Sequence, residues 1–452
     1  MHNFHINRRR FLKTAAASLA LSTMGAQGLE LVFRERPLRV GLIGTGWYGK
    51  SDLFRLMQVT LVEVVGLCDV DEKQLAEAAQ LVKSRQSSGK LPPTFTNYQR
   101  LLAEVEMDVV LIGTPDHWHA LQAIDVMKAG AHVYLQKPIS VDVLEGEAIV
   151  AAAKKYDRTV QIGTQRRSTH HLIDAKEKIV EAGLLGKISH VEMCCYYHMR
   201  DRANRPTIEI PEHFDYDAWC GPAPVRRFDG VPHRRWRAFM EYGNGIMGDM
   251  CVHMLDTVRW LLDLGWPKRI SSTGGIYVQK ESAANTADTQ HALFEFEELN
   301  AIWQHRSWGT PPDPDYPWAF FIYGEKGTLK GSVYKYDFIP QGKDTPLQME
   351  VRYEREQFPE DLNEKAIELH TAPATRAHML DFLSAIGNKK KPVADVLNGH
   401  ISSASCIMAN LSMDLGGRPL VYDPQQQIIV DDTEATQLLK RDYREGFAHP
   451  FR

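Results

Sequence analysis

The run Leu38 to Ile43 feeds directly into Gly44-Thr45-Gly46-Trp47-Tyr48-Gly49, and this G-x-G-x-x-G turn constrains the fold more than any other stretch. Leu38 to Ile43 reads as a buried parallel strand and Trp47 onward as the start of a helix. Gly44 permits the tight turn, Gly46 lets backbone amides approach a pyrophosphate, and Gly49 lets helix and strand pack closely. The anion would lie at the helix N-terminus, where N–H groups and the dipole favour negative charge. A second apolar run, Leu61 to Cys68, ends in Asp69, twenty residues beyond Gly49. A carboxylate at that distance accepts from a ribose 2′-OH. Strand, glycines, helix, strand and acid together read as a dinucleotide site, with Asp69 favouring NAD over NADP.

Strands and helices keep alternating up to Ile162. Asp108 to Gly113, His132 to Leu135 and Thr159 to Ile162 read as strands, and His117 to Ala129 and Ser140 to Tyr156 as helices. This alternation predicts an α/β fold with a doubly wound parallel sheet, a Rossmann domain over 37–165. Ligands then gather beyond the C-terminal strand ends at Ile43, Cys68, Gly113, Leu135 and Ile162. The second half differs. Runs near 188–197, 269–278, 291–297, 301–305, 319–323 and 327–333 read as strands of an open, largely antiparallel sheet. Helices near 250–264, 375–387 and 399–415 would cover one face. The expectation is an α+β substrate domain over 166–432, followed by a surface tail over 433–452 with room to fold onto the domain or a partner subunit. The open sheet also offers a surface for a homo-oligomer.

Residues 1–30 stand apart from this fold. Asn7-Arg8-Arg9-Arg10-Phe11-Leu12-Lys13 precedes an apolar, small-residue run from Thr14 to Ala26. This resembles a twin-arginine export signal, and the run is short and Ala/Ser-rich for a transmembrane helix. The expected location is the periplasm, with no integral membrane segment. That route carries folded proteins, so a nucleotide can be loaded before export. Free NAD is scarce outside the inner membrane. A tightly held cofactor, re-oxidised or re-reduced in place, is therefore expected.

The net charge is −4, and the basic residues Arg8 to Arg10 and Lys13 would leave with the signal. A mature chain this acidic is no match for nucleic acid or an anionic membrane. The six cysteines show neither C-x-x-C nor zinc spacing and read as buried free thiols.

Further motifs recur in order. Thr114-Pro115-Asp116-His117-Trp118-His119 follows the fourth strand, Gln136-Lys137-Pro138 follows the next, and Gly245 to Asp256 reads G-x-x-x-D-x-x-x-H-x-x-D. With the glycine turn, these make the chain resemble the Gfo/Idh/MocA family of sugar and polyol oxidoreductases over roughly residues 37–420. The departure is Gln136, where the family usually has Glu. A Glu would stabilise the neighbouring ammonium and Gln does not, so Lys137 is expected to titrate more easily.

The resemblance implies the catalytic set Lys137, Asp249 and His253. Lys137 would polarise a substrate hydroxyl near the nicotinamide. His253 would take the hydroxyl proton, a role its ordinary pKa suits. Asp249, four residues earlier on one helix face, would orient the substrate and the imidazole. The same pair suits zinc, but no motif supplies further ligands, and no metal is expected. The cofactor contacts expected are Gly44, Thr45, Gly46, Trp47, Tyr48, Asp69, Thr114, Pro115, His117, His119 and Lys137. Gln165, Arg166, Trp236, Asp249 and His253 would meet a sugar or polyol substrate. Trp118 and Trp219 read equally as stacking platforms or as packing. The leading expectation is an NAD-dependent oxidoreductase acting on CH–OH groups. The alternatives are a redox-neutral glycosidase that oxidises, eliminates and re-reduces, and a non-catalytic sugar-binding protein with a structural nucleotide.

Overall fold

The computed structural model describes residues 36–196, 204–230, 235–342, 345–363 and 369–451. The candidate export signal lies outside them. Six parallel strands form the first sheet: β1 (Leu38–Ile43), β2 (Val62–Cys68), β3 (Thr94–Phe95), β4 (Val109–Ile112), β5 (His132–Leu135) and β6 (Val160–Ile162). Their order is β3-β2-β1-β4-β5-β6, the doubly wound arrangement expected. Alternate residues point to opposite faces, and both faces are covered. Leu42, Val64 and Leu111 pack with Leu53 on one side, whereas Ile43, Val110 and Ile112 pack with Ala120 and Val126 on the other. Asp71 accepts from Lys73 N and Gln74 N to start the helix Glu72–Arg85, and Asp142 accepts from Glu145 N to start Val143–Tyr156.

The second sheet has eight strands: β7 (Ile188–Cys195), β8 (Arg269–Gly275), β9 (Thr289–Glu295), β10 (Asn300–Arg306), β11 (Trp318–Gly324), β12 (Gly327–Ser332), β13 (Lys335–Pro340) and β14 (Leu347–Glu350). The order is β14-β13-β12-β11-β7-β10-β9-β8. Only β7 and β10 run parallel; the other neighbours are antiparallel. In β10, Ala301, Trp303 and His305 face the buried side and Ile302 and Gln304 the open one. The helices Val252–Leu261 and Val396–Asp414 contribute Leu255, Val258, Ile407 and Met408 to the core on that buried side. Among the described residues no helix is long and apolar enough to cross a membrane. All six cysteines are buried free thiols.

Two features depart from a plain two-domain reading. The helix Ala372–Asn388, remote in sequence, sets Met379, Phe382 and Leu383 against Leu53 and Phe54 of the first domain. The final segment folds back onto the rest of the chain. Leu439 is fully buried, and its carbonyl accepts from Val143 N and Leu144 N. Beyond it, Arg441 donates to Met240 O and Asn244 Oδ1, and Tyr443 donates to Glu145.

An aromatic segment crosses between the domains over the strand ends. Glu72 N donates to His213 O and Asp215 N to Val70 O, which ties this segment to the end of β2. Trp118 Nε1 donates to Trp219 O, which ties it to the turn after β4. Phe214, Tyr216, Trp219, Phe228, Trp236, Phe239 and Tyr242 form its own core. The C-terminal residues close over it. Arg444 N donates to Pro222 O at 2.8 Å, and Phe447 packs edge-on against Trp118.

Candidate active site

The glycine turn forms the first wall of the site. Gly44 has φ +88°, and a Cβ there would lie 2.7 Å from the backbone of Gly113 and Thr114. A Cβ on Gly49 would collide with the Gly44 carbonyl. By contrast, a Cβ on Gly46 would have only Gln74 Oε1 within reach, at 4.0 Å. The helix Trp47–Val59 starts there with no side-chain cap and no acid in its first turn. An open helix N-terminus of this kind suits a pyrophosphate.

Asp69 Oδ2 accepts from Thr45 N at 2.7 Å and Thr45 Oγ1 at 3.0 Å, and Oδ1 accepts from Asp71 N. Burial lifts this carboxyl above its ordinary value against those three hydrogen bonds. A carboxylate has about four lone-pair positions, so acceptor capacity remains for a ribose hydroxyl. Trp47 is exposed at the first helical position, and Tyr48 OH accepts from Gln165 Nε2 at 3.0 Å. These groups fit a dinucleotide.

The turn after β4 is held from several sides. Thr114 Oγ1 donates to Gln122 Oε1, and Pro115 leads into a short 3-10 turn over Asp116–Trp118. Of the two histidines expected to face the cofactor, His119 has both ring nitrogens against backbone carbonyls, whereas His117 has one, and its Nδ1 is buried with no hydrogen-bond partner among the described residues. His117 Nε2 donates to Trp219 O at 2.9 Å. His119 Nδ1 lies 2.7 Å from Pro138 O, and its Nε2 lies 2.9 Å from Thr114 O. A neutral imidazole has one N–H for those two carbonyls. Burial still pulls His119 down to about 4 against both carbonyls. His119 thus clasps the β4 turn to the Lys137-Pro138 turn.

Lys137, Asp249 and His253 come together beyond the strand ends. Lys137 Nζ donates to Asp249 Oδ1 at 2.6 Å and to Asp249 O at 2.8 Å. Arg237 Nε reaches the same Oδ1 at 3.0 Å. Burial works against the Asp249 carboxylate, but Arg237 and Lys137 outweigh it and hold the group below its ordinary value. Asp249 lies in a π-helical turn, Met247–Cys251, ahead of the helix that carries His253. Asp249 makes no hydrogen bond to the His253 imidazole in this structure. Its charge is spent on the two cations, and His253 Nδ1 is buried with no hydrogen-bond partner among the described residues. The His253 ring packs edge-on against Trp318, which also lies beside the Arg166 guanidinium and donates to Met250 O. Burial, then Lys137, Arg166 and Arg237, pull the His253 pKa well below its ordinary value.

The Gln136 expectation also changes. Gln136 Nε2 turns to Asp52 Oδ2 at 2.6 Å, in the helix after the glycine turn. Burial lifts Asp52 to about 7, against that hydrogen bond and the charge of Arg55. Lys137 is not left without a carboxylate, because Asp249 supplies one. Trp219 and Trp236 are buried in the aromatic core, with the Arg237 guanidinium 4.2 Å above the Trp236 ring. Sequence reasoning missed Arg237, one residue beyond Trp236, and Asp116, inside a motif read for its histidines. For Arg237 the signal was weak: a cation beside a tryptophan in a loop.

A parallel Rossmann sheet with an open glycine cradle, joined to a mixed-sheet domain that supplies a Lys-Asp-His cluster, defines a nucleotide-dependent enzyme site. Three sequence models of one family match in succession. They are the oxidoreductase family's NAD-binding Rossmann fold over residues 38–164, the GFO/IDH/MocA C-terminal domain over 174–330, and the family's C-terminal alpha/beta domain over 353–449. The chain belongs to the Gfo/Idh/MocA oxidoreductase family, and its cofactor is NAD.

A glycosyl hydrolase family 109 protein of Shewanella pealeana is 30% identical over 219 residues, covering 43% of this chain and 47% of the relative. An alpha-N-acetylgalactosaminidase of Shewanella oneidensis is 27% identical over 230 residues, covering 44% and 48%. The chain thus spans about half the length of the curated relatives it matches. Among solved structures, an inositol dehydrogenase homolog of Azotobacter vinelandii, complexed with NADH and myo-inositol, superposes with a TM-score of 0.63. It is 18% identical, and the match covers 86% of this chain and 98% of that one, a likeness of fold.

Proposed function

We propose that this chain is an exported oxidoreductase that moves a hydride between a retained NAD and a ring hydroxyl of a sugar, cyclitol or glycoside. The observation that carries the reading is the Lys137–Asp249–Arg237 knot, buried at Lys137 and Asp249 and half-buried at Arg237, with His253 kept neutral beside it at the ligand edge of the sheet. NAD, when bound, supplies the hydride acceptor, and its reduced form the donor. Gly44, Thr45, Gly46 and the start of the following helix would hold its pyrophosphate, and Asp69 its ribose. His253, neutral near pH 7, takes the hydroxyl proton. Lys137 stabilises the negative charge that develops on the oxygen. Asp249 fixes Lys137 and Arg237, so that both cations are in place before the substrate arrives.

The Arg8-Arg9-Arg10 segment and the small-residue run after it support export by the twin-arginine route. That destination favours a closed cycle in which the cofactor stays through turnover. The open face of the second sheet offers the surface for a homo-oligomer. A second reading shares the first oxidation and is redox-neutral overall, with cleavage of a glycosidic bond. The names of the curated relatives favour it.

Mass spectrometry of the protein as purified tests cofactor retention, and a panel of sugars, polyols and glycosides tests the chemistry. A ketone product supports the first reading and a cleaved glycoside the second. An enzyme that turns over only with continuously added NAD, released between cycles, overturns the closed cycle.

A further inference from the structure

We propose that Asp116 is a substrate-binding carboxyl that hydrogen-bonds a hydroxyl of a polyhydroxylated ring. This rests on the sugar reading given above and adds a residue to it.

Asp116 is only 3% exposed, yet no described residue donates a hydrogen bond to its carboxyl. Its neighbours are all engaged. Thr114 is tied to Gln122, His117 and Trp118 to Trp219, and His119 to the Thr114 and Pro138 carbonyls. The backbone that carries Asp116 is thereby fixed. The carboxyl lies against Gly243, where a Cβ would be 3.3 Å from Asp116 Oδ2. Gly243 in turn has its carbonyl within reach of the Arg441 guanidinium.

Arg237, Asp249, Lys137 and Arg441 all act electrostatically on Asp116, which places it within the charged cluster of the site. The division of labour there is clear. Asp249 takes Lys137 and Arg237 by direct contact, and neither cation makes a hydrogen bond or close ion pair with Asp116. With no donor from the protein, the carboxyl oxygens are still not among the fully enclosed unpartnered atoms, so they keep some access and a ligand can complete them. Burial, opposed by Arg237, holds Asp116 well above its ordinary value. A carboxyl group accepts from a hydroxyl in either protonation state, and when protonated it also donates. A sugar hydroxyl is the matching partner, since it also donates and accepts.

The test uses the NAD-loaded full chain. Calorimetry measures binding of the preferred sugar and of its monodeoxy analogues to the wild type, Asp116→Ala and Asp116→Asn. Both variants should retain NAD, since Asp116 takes no part in the glycine cradle. Asp116→Ala should weaken sugar binding by about tenfold or more, the loss of roughly one hydrogen bond to a buried group. Asp116→Asn, which keeps a donor and an acceptor, should recover part of the affinity. One monodeoxy analogue should bind the wild type and Asp116→Ala equally, identifying the hydroxyl involved. Unchanged affinity in both variants, with NAD retained, overturns the role of Asp116 and leaves the oxidoreductase reading standing. A wild type that binds no sugar, polyol or glycoside overturns both.

Discussion

Lys137 and Asp249, 112 residues apart in sequence, make a double contact in which one ammonium meets both the side chain and the backbone carbonyl of the same residue. The aspartate fixes the lysine in direction as well as in charge, and Arg237 shares the carboxylate. Lys137→Ala should therefore abolish most turnover while Asp249 stays neutralised by Arg237 and NAD stays bound. The check is single-turnover kinetics alongside nucleotide content. Near wild-type rates with a confirmed substrate would remove Lys137 from the chemistry.

His253→Ala should lower the rate by roughly 10²–10⁴, the usual loss for a general base. The wild-type pH profile carries a second test. Burial and the cations Lys137, Arg166 and Arg237 depress this imidazole, so it remains a competent base below pH 6.5. The acidic limb of kcat/KM that belongs to it should fall well under that value. A limb centred at or above 6.5 would show that His253 titrates as an ordinary histidine.

Asp69→Ala should release NAD more readily and weaken the preference over NADP. It removes the acceptor placed for the ribose and also frees Thr45, whose N–H and hydroxyl both bond to it. Nucleotide released on denaturation measures the effect. A variant that copurifies with a full complement of NAD would exclude this role for Asp69.

Gln136→Glu should be destabilising, and more so at alkaline pH. The new carboxyl would face Asp52, which burial already lifts to about 7. A carboxyl with a raised folded pKa is tolerated below its unfolded value, near 4, and costs stability as pH rises through the folded one. Thermal midpoints at pH 5 and pH 8 should show a small deficit at the first and a larger one at the second. Equal deficits would mean that the two carboxyls do not share a proton.

Acid should cost the fold the contribution of its buried histidines. Burial holds His117, His171, His305 and His378 at about 4 each. Unfolded, they would take up protons near 6.5. Their stabilising contribution is complete above that value and is lost as pH falls through 4. The imidazole NMR signals of these four histidines should stay unchanged from pH 7 to 5, and a titration centred near 6.5 would contradict these pKa directions.

What was legible in the sequence was local. The turn from Gly44 to Gly49 and the acid at Asp69 share one βαβ unit, and spacing alone places them. In the second domain, alternation exposed β7 to β12, but Lys335 to Pro340 hides its inward Tyr336 and Phe338 among charges and ends in proline. The site was legible where a motif carries it, as with Lys137, Asp249 and His253. It was opaque where tertiary contact decides the role. Nothing near Gln136 announces Asp52, 84 residues away, as its partner. The spacing of Asp249 and His253 implied an ordinary helix, and the π-helical turn altered how they relate. Residues 433–452 look like a polar appendage in sequence because Leu439 and Arg441 find their partners in distant segments.

The segment around Phe214 to Trp219 is anchored on both sides of the glycine turn, at the end of β2 and at the turn after β4, and Arg444 and Phe447 lie over it. Under the proposed retention of NAD, a molecule seated between those anchors would not leave by breaking its own contacts alone. Its residence time would be set by how often this aromatic unit opens as a local, cooperative event. Two properties that are usually linked would thereby be separated. The intrinsic affinity of the cradle for NAD could be ordinary, while its exchange with bulk solvent would be slow.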